Sequence, residues 1–230
     1  MRNCIVQFYM ETTGFSQPDF VNISINKELL EYSKKSAKLY AEKCQADYIL
    51  VDQPRINHVH PTFERFDLFF NDEWWKKYDH ILYLDTDVIC WPSAPDIFKM
   101  YNNKETFKVC EDLKALRNNK EWHQQNDKDT ILNQFDPEIL RTKRFNAGVF
   151  MLNQSSAKII SPFLKYKEYK DDDNKLLVYA VLSSGVITER MDPRFNKKNG
   201  VTSWFGHGYG QNKYLPDYKL LSVAKQIFKI

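Results

Sequence analysis

The sequence predicts an α/β fold: a mixed but mostly parallel sheet flanked by helices, in a single domain. Three observations predict it. Short β-rich apolar runs alternate with helical stretches through the first half of the chain, and strand–helix–strand alternation builds parallel sheets. The run "HILYLDTDVIC" (His80–Cys90) is apolar almost throughout, which marks a central strand covered on both faces. The chain has 230 residues, 43% apolar and 27% charged, enough for one large core and too apolar for a disordered chain.

"CIVQFYM" (Cys4–Met10) reads as the first strand. "NKELLEYSKKSAKLYAEKCQ" (Asn26–Gln45) predicts a helix, because Asn26 can cap its start and Leu30, Ala37, Ala41 and Cys44 recur on one face. "DYILVD" (Asp47–Asp52) is the second strand, stopped by Gln53-Pro54. "TFERFDLFFNDEWWKKY" (Thr62–Tyr78) reads as another helix, and "HILYLDTDVIC" is the third strand. Beyond it, "TFKVC" (Thr106–Cys110), "GVFMLN" (Gly148–Asn153) and "GVITE" (Gly185–Glu189) read as strands. "SAKIISPFLKYKEY" and "NKLLVYAVLSS" read as helices separated by "KDDD". The polar stretch Leu116–Asp136 reads as a loop, and residues 191–230 as loop-rich, with "FGHGYG" holding three of the seven glycines. No repeat, low-complexity tract or linker interrupts the chain.

The net charge of +3 is small and the lysines are scattered, which argues against a nucleic-acid groove. The four cysteines form no C-x-x-C pair, so a zinc site is not expected; in core segments they act as small hydrophobes, and a reducing compartment follows. The opening "MRNCIVQFYMETTG" is too short and polar for a signal peptide and no run reaches the length of a membrane span, so a soluble cytoplasmic protein is expected. On that reading the triplets Asn22-Ile23-Ser24 and Asn153-Gln154-Ser155 are chance matches to a glycosylation signal.

The chemistry begins at Asp85-Thr86-Asp87. Two like charges at the end of an apolar strand repel, and such a pair has a cation to hold or a proton to share. Ligands of α/β sheets gather beyond the carboxyl ends of the strands. In extended chain, residues i and i+2 point the same way, so Asp85 and Asp87 would face a hard divalent cation such as Mn²⁺ or Mg²⁺ together. A turn in which one Asp caps a helix is the plainer reading of D-x-D, but the apolar residues on both sides argue against a solvated turn. Near the C-terminus, His207 lies in a Gly-rich loop with Gly210 and Lys213. Backbone N–H groups of such a loop can approach phosphate, and a lysine adds a point charge.

"YDHILYLDTDVIC" resembles the D-x-D region of nucleotide-sugar glycosyltransferases of the GT-A fold, most closely glycosyltransferase family 8, the glycogenin and bacterial galactosyltransferase type. "RFNAGVFMLN" (Arg144–Asn153), "DNKLLVYAVL" (Asp173–Leu182), "MDPRFN" (Met191–Asn196) and "HGYGQNK" (His207–Lys213) resemble further segments of that family, in the same order. Three positions depart from it: Asn174 stands where the family has Gln, Gly208 where an aromatic follows the His, and Tyr214-Leu215 where Pro-Trp follows the Lys.

The resemblance implies a metal-dependent transfer of a sugar from a nucleotide diphosphate donor, a UDP-sugar, to a glycan or glycoprotein acceptor. It implies Mn²⁺ or Mg²⁺ held by Asp85, Asp87 and His207. It places Phe8, Tyr9, Arg65, Asp85, Thr86, Asp112, Asn146, Gly148, Gly210 and Lys213 against the donor, and gives Asp173 and Asn174 catalytic roles beside the sugar, with retention of configuration. Residues 1–110 would form the nucleotide-binding half and 111–230 the half that completes the metal and acceptor site. The alternatives are an inverting enzyme on the same fold, a sugar-nucleotide nucleotidyltransferase, and a carbohydrate-binding module using Trp74, Trp75 and Trp122. The nucleotidyltransferase reading lacks its basic Gly-rich loop after the first strand, since "FYMETTGFSQPDF" holds one Gly and no Lys or Arg. The binding-module reading leaves D-T-D unexplained.

Overall fold

The structure, a computed structural model, describes residues 2–10, 27–56, 61–111, 131–166, 173–198, 200–208 and 219–229. Asn26, Asp112, Trp122, Gly210 and Lys213 lie outside the described residues. The strands are β1 (Asn3–Phe8), β2 (Asp47–Val51), β3 (His80–Leu84), β4 (Val88–Cys90), β5 (Phe107–Glu111), β6 (Phe145–Leu152), β7 (Thr188–Met191), β8 (Lys197–Lys198) and β9 (Phe205–His207). Among the described residues they form a six-stranded sheet, β2-β1-β3-β6-β5-β7, and a small sheet, β4-β9-β8. In the large sheet, β1 runs parallel to β2 and β3, and β5 to β7, while β6 runs antiparallel to β3 and β5. The predicted mixed, mostly parallel α/β sheet is the fold observed.

Side chains alternate along β3 as strand geometry requires. Ile81 and Tyr83 enter a core with Phe63, Phe66, Phe69, Phe150 and the helix Asp173–Ser184, and Leu82 and Leu84 enter a second core with Ala37, Tyr40 and Phe205. Both faces are therefore covered, and every residue of β3 is buried.

The helices are α1 (Lys27–Lys43), α2 (Asp67–Phe70), α3 (Ile97–Met100), α4 (Pro137–Lys143), α5 (Gln154–Ile160), α6 (Asp173–Ser184) and α7 (Lys219–Phe228). Some regions differ from expectation. Thr62–Tyr78 is not one helix: a 3₁₀ turn, Pro61–Phe66, leads into the single turn of α2. Its carboxylates serve other partners. Glu64 accepts the Arg55 and Ile56 N–H groups, Asp67 accepts the Trp74 indole N–H at 2.8 Å, and Asn71 takes extended backbone. Trp74 is accordingly buried rather than a surface aromatic. Gly185, at φ +65°, ends α6 in the left-handed cap conformation, which delays β7 to Thr188. The C-terminal region carries β8, β9 and α7, whose Leu220, Leu221, Ala224 and Phe228 pack on Leu29, Tyr32 and Trp91. Asn153 caps α5 through a reciprocal bond with Ser156 and is buried, so its N-x-S triplet is structural.

Candidate functional site

The apolar run His80–Cys90 is two strands, not one. β3 ends at Leu84; Asp85–Asp87 turn, with the Val88 N–H donating to the Asp85 carbonyl at 3.1 Å; β4 then enters the small sheet. The carboxylates are thus brought together by a turn, not by the pleat of an extended strand. Each side of the turn is held by a different sheet. The Asp85 N–H donates to the Gly148 carbonyl and the Gly208 N–H to the Asp87 carbonyl, both at 2.8 Å. Gln7, buried on β1, clamps the turn from below. Its Nε2 donates to the Asp85 carbonyl at 3.1 Å and to Ser33 Oγ at 2.9 Å, while its Oε1 accepts the Tyr48 hydroxyl at 2.8 Å.

Antiparallel pairing of β4 with β9 sets Val88 opposite His207 and so delivers the imidazole beside Asp87. His207 Nε2 lies 3.1 Å from Asp87 Oδ1 and 3.4 Å from Asp85 Oδ2. The ligand atoms of the three residues lie within 4.8 Å of one another. His207 Nδ1 is 2.7 Å from Asn196 Oδ1, which turns the Nε2 edge to the carboxylates. Two carboxylate oxygens and one imidazole nitrogen make a donor set of the kind Mn²⁺ or Mg²⁺ accepts, and the three residues fit such an ion.

The charges of the cluster hold one another. Burial alone would lower the imidazole's pKa, but Asp87 and Asp85 outweigh it and raise it to about 9. Burial alone would raise the Asp85 carboxyl, but the His207 contact and the Arg65 charge pull it below the ordinary carboxylate value. The Tyr83 phenol, pushed up by burial and then by Asp85, stays protonated and donates to Asp85 Oδ1 at 2.6 Å.

Arg65 is buried at the end of the 3₁₀ turn and joins the cluster to a third acid. Its Nη2 pairs with Asp173 Oδ2 at the start of α6, its Nη1 donates to the Ala147 carbonyl at 3.0 Å, and Nη1 stands 3.5 Å from Asp85 Oδ1. The guanidinium also lies 5.5 Å from the centre of the Tyr83 ring. Burial opposes its charge, but Asp173 and Tyr83, followed by Asp85, raise its pKa above the ordinary arginine value.

The remaining wall comes from an irregularity in β6. Val109 pairs with Phe150 but its neighbour Cys110 pairs with Asn146, so Ala147–Val149 leave the β5 register while Val149 still pairs with Leu84 of β3. The Ala147 N–H donates to Asn174 Oδ1 at 2.7 Å, and the Gly148 N–H to Asn146 Oδ1 at 2.9 Å. A Cβ at Gly148 would stand 2.7 Å from Asp85 Oδ2 and 2.9 Å from His207 Nδ1, so the glycine supplies space.

Nine residues singled out in the sequence therefore converge: Arg65, Asp85, Thr86, Asp87, Asn146, Gly148, Asp173, Asn174 and His207, with Thr86 buried in the turn. Phe8 reaches the cluster's edge, its ring centre 6.3 Å from that of Tyr83, and the Tyr9 N–H continues the β1–β2 ladder to Val51. Sequence reasoning missed Gln7, Tyr83 and Asn196. The first had a visible signal: Gln7 is a lone polar residue inside an apolar strand.

The sequence matches the family model "Glycosyl transferase family 8" over residues 10–192, about four fifths of the 230 residues. No curated protein matches it. Among solved structures it resembles a glycosyltransferase involved in the glycosylation of the major capsid of PBCV-1, at 11% identity, TM-score 0.58 and full coverage of both chains. It also resembles the galactosyltransferase LgtC in complex with donor and acceptor sugar analogs, at 15% identity and TM-score 0.59, covering 99% of this chain and 97% of that one. A third is the glycosyltransferase GlyE of Streptococcus pneumoniae, at 13% identity and TM-score 0.53, covering all of this chain and 60% of that one. These neighbours share the GT-A fold. Among the described residues no helix is long and apolar enough to cross a membrane. The match over most of its length and the fold it adopts place the chain in glycosyl transferase family 8, and it is a glycosyltransferase.

Proposed function

We propose that this glycosyltransferase takes its sugar from a nucleotide diphosphate donor, uridine-linked, with a divalent cation held by Asp85, Asp87 and His207, and passes it to a carbohydrate or protein-linked acceptor. The observation that carries the reading is the convergence on one point of two carboxylates from the β3–β4 turn and an imidazole from the end of β9. The family match ends at residue 192, before His207, so the third ligand is supported by geometry independently of the match. Bound there, Mn²⁺ or Mg²⁺ would supply positive charge to the diphosphate and stabilise it as a leaving group. Two carboxylates without such an ion would repel that diphosphate.

The protein's own residues do the rest. Gln7 and Tyr83 fix the backbone and side chain of Asp85. Asn146 and Gly148 form the wall against which the donor sugar lies, the glycine leaving room for close approach. Phe8 and Tyr9, at the end of β1, face the base. Lys213 and Gly210, with Asp112, complete the diphosphate and sugar contacts. Asp173, held by Arg65, supplies negative charge beside the anomeric carbon, where positive charge develops as the leaving group departs. On this reading transfer proceeds with retention of configuration, and Asn174 holds the backbone next to the sugar through Ala147.

The test is incubation with a panel of nucleotide sugars and Mn²⁺, without acceptor, followed by detection of free nucleoside diphosphate. Slow release from one donor is expected, abolished by EDTA and by Asp85→Asn or Asp87→Asn, because a neutral amide is a poor ligand for a hard cation. Release unaffected by EDTA and retained in both variants would overturn the metal reading. Absence of release from every donor would overturn the donor reading.

A further inference from the structure

We propose that Asn196 is a positioning residue: its side-chain amide commits His207 to bind the cation through Nε2 and ties that ring to the sugar-facing wall at Asn146. The inference rests on the metal site proposed above and goes beyond its ligands.

The assignment follows from a chain of hydrogen bonds with one consistent direction. Asn146 Oδ1 accepts the Gly148 N–H at 2.9 Å, so that atom is the amide oxygen. The Asn196 side chain approaches Asn146 at two acceptors, Oδ1 at 3.1 Å and the main-chain carbonyl at 3.4 Å. Only a nitrogen can face two acceptors, which orients Asn196 with its Nδ2 towards Asn146 and its Oδ1 towards His207. An amide oxygen at 2.7 Å from His207 Nδ1 requires a proton on Nδ1. The ring therefore presents Nε2, not Nδ1, to Asp85 and Asp87. Metal-bound histidines elsewhere are held in the same way, by an acceptor on the nitrogen that does not bind.

Position in the chain makes the amide a rigid support. Asn196 is buried, and it closes the 3₁₀ turn Pro193–Phe195 with its N–H donating to the Pro193 carbonyl at 3.2 Å. Phe195 before it packs on Trp204 and Phe205, and the next residue, Lys197, pairs with Gly206 of β9, next to His207. One amide thus spans the strand that carries His207 and Asn146 of β6, the residue next to the displaced segment Ala147–Val149. A carboxylate at 196 would still accept the Nδ1 proton but would offer Asn146 no donor. The two functions of the amide are therefore separable by substitution.

The experiment measures Mn²⁺ affinity of the intact protein, without donor, by titration followed by electron paramagnetic resonance. Folding of each variant is checked by circular dichroism. Asn196→Ala is expected to weaken Mn²⁺ binding about 10–100-fold. Asn196→Asp is expected to restore affinity to within about 3-fold of wild type, since the acceptor for Nδ1–H returns. Wild-type affinity in Asn196→Ala, or failure of Asn196→Asp to rescue, would overturn the inference while leaving the metal site standing. Absence of Mn²⁺ binding by the wild type would overturn the site and the inference together. A measurement on the unaltered protein is independent of variant folding. Long-range ¹H–¹⁵N spectra of ¹⁵N-histidine protein with saturating Mg²⁺ are expected to show the His207 proton on Nδ1, and a proton on Nε2 would overturn the proposal.

Discussion

Gly148→Ala tests whether the cluster is a metal site through one methyl group. Gly148 is not among the described glycines at positive φ, so alanine meets no backbone penalty there. The effect must come from space. An ordinary van der Waals contact of a Cβ begins at 3.4 Å; the added Cβ would stand 2.7 Å from Asp85 Oδ2 and 2.9 Å from His207 Nδ1, and closest of all to the ring carbon Cε1. By difference, Asp85 must yield by 0.7 Å; His207 must yield by more than the 0.5 Å that its Nδ1 alone requires, because its Cε1 is nearer still. The backbone at 148 is poorly placed to yield instead, since its N–H is bound to Asn146 and its carbonyl to the Asp85 N–H. Metal sites tolerate ligand displacements of only about 0.2 Å, so the variant should lose at least about 10-fold in Mn²⁺ affinity. Overpacking a buried position costs about 1–3 kcal/mol, so the protein should still fold with a lowered melting temperature. Mn²⁺ titration by electron paramagnetic resonance and thermal melting by circular dichroism read the two effects separately. A folded Gly148→Ala protein with wild-type Mn²⁺ affinity and wild-type transfer would refute the claim that Asp85 and His207 must stay where they are.

Other perturbations bear on the groups around the cluster. Arg65→Met leaves the partly buried Asp173 and Asp85 without their guanidinium and should lower stability in urea unfolding by about 3–5 kcal/mol. Arg65→Lys should not recover it, because one ammonium cannot reproduce the planar fork, and unchanged stability in either would count against the bridge. Asp173→Asn should lower kcat at least about 10-fold with donor KM little changed, as charge stabilisation acts in the transition state. A rise in KM alone would make Asp173 a binding residue, and NMR of the product linkage should show the donor's anomeric configuration. Lys108 is buried on β5, and burial, only partly offset by Glu189, lowers its pKa to about 8. Below pH 8 both folded and unfolded chains carry this proton, so the cost of burying the charge is constant. Between pH 8 and about 10.5 the unfolded chain binds more protons, so Lys108 makes stability rise with pH, by about 3 kcal/mol across that window. The stability difference between Lys108→Met and wild type, followed by urea unfolding from pH 7 to 10.5, should therefore shift towards wild type, and a pH-independent difference would contradict the burial cost.

The parts of the fold legible in the sequence were those with one dominant physical cause. β1, α1, β2, β5, β6 and α6 announce themselves by apolar runs or helical periodicity, and both faces of β3 are covered, as its unbroken apolar run requires. What failed was any feature decided by a distant partner. Nothing local separates Leu84 from Val88, because the break depends on Gly148 and Gly208 pulling opposite ends of the turn into different sheets. Nothing local stops the helix predicted after Thr62, because Glu64 and Asp67 are drawn to Arg55, Ile56 and Trp74. The site divides in the same way. Its charged members declare their chemistry within the quoted motifs, whereas Tyr83 and Asn196, although they stand in the same stretches, act through bonds to residues 2 and 11 positions away that only folding aligns.

The disposition of charge indicates how Asp173 would act on the proposed reading. Asp85, Asp87 and Asp173 bring three negative charges; Arg65 brings one positive charge, and His207 carries a second below pH 9. A divalent cation bound by a neutral imidazole would replace that proton and leave the cluster without net charge. The two halves of the balance meet at Arg65. Asp85 and Asp87 face the proposed cation position, whereas Asp173 pairs directly with Arg65, which also stands 3.5 Å from Asp85 and is buried and fixed by Ala147 and the Tyr83 ring. The Asp173 Oδ2 bonded to the guanidinium has an electron pair engaged there, and attack on carbon through that oxygen would have to break the contact. A fixed charge needs no such movement. The bond that engages Oδ2 would make Asp173 a pre-oriented electrostatic partner for a developing oxocarbenium centre, which costs no reorganisation when the leaving group departs. If the proposed retaining transfer holds, Arg65 would favour a front-side reaction assisted by a stationary carboxylate over a covalent glycosyl-aspartate.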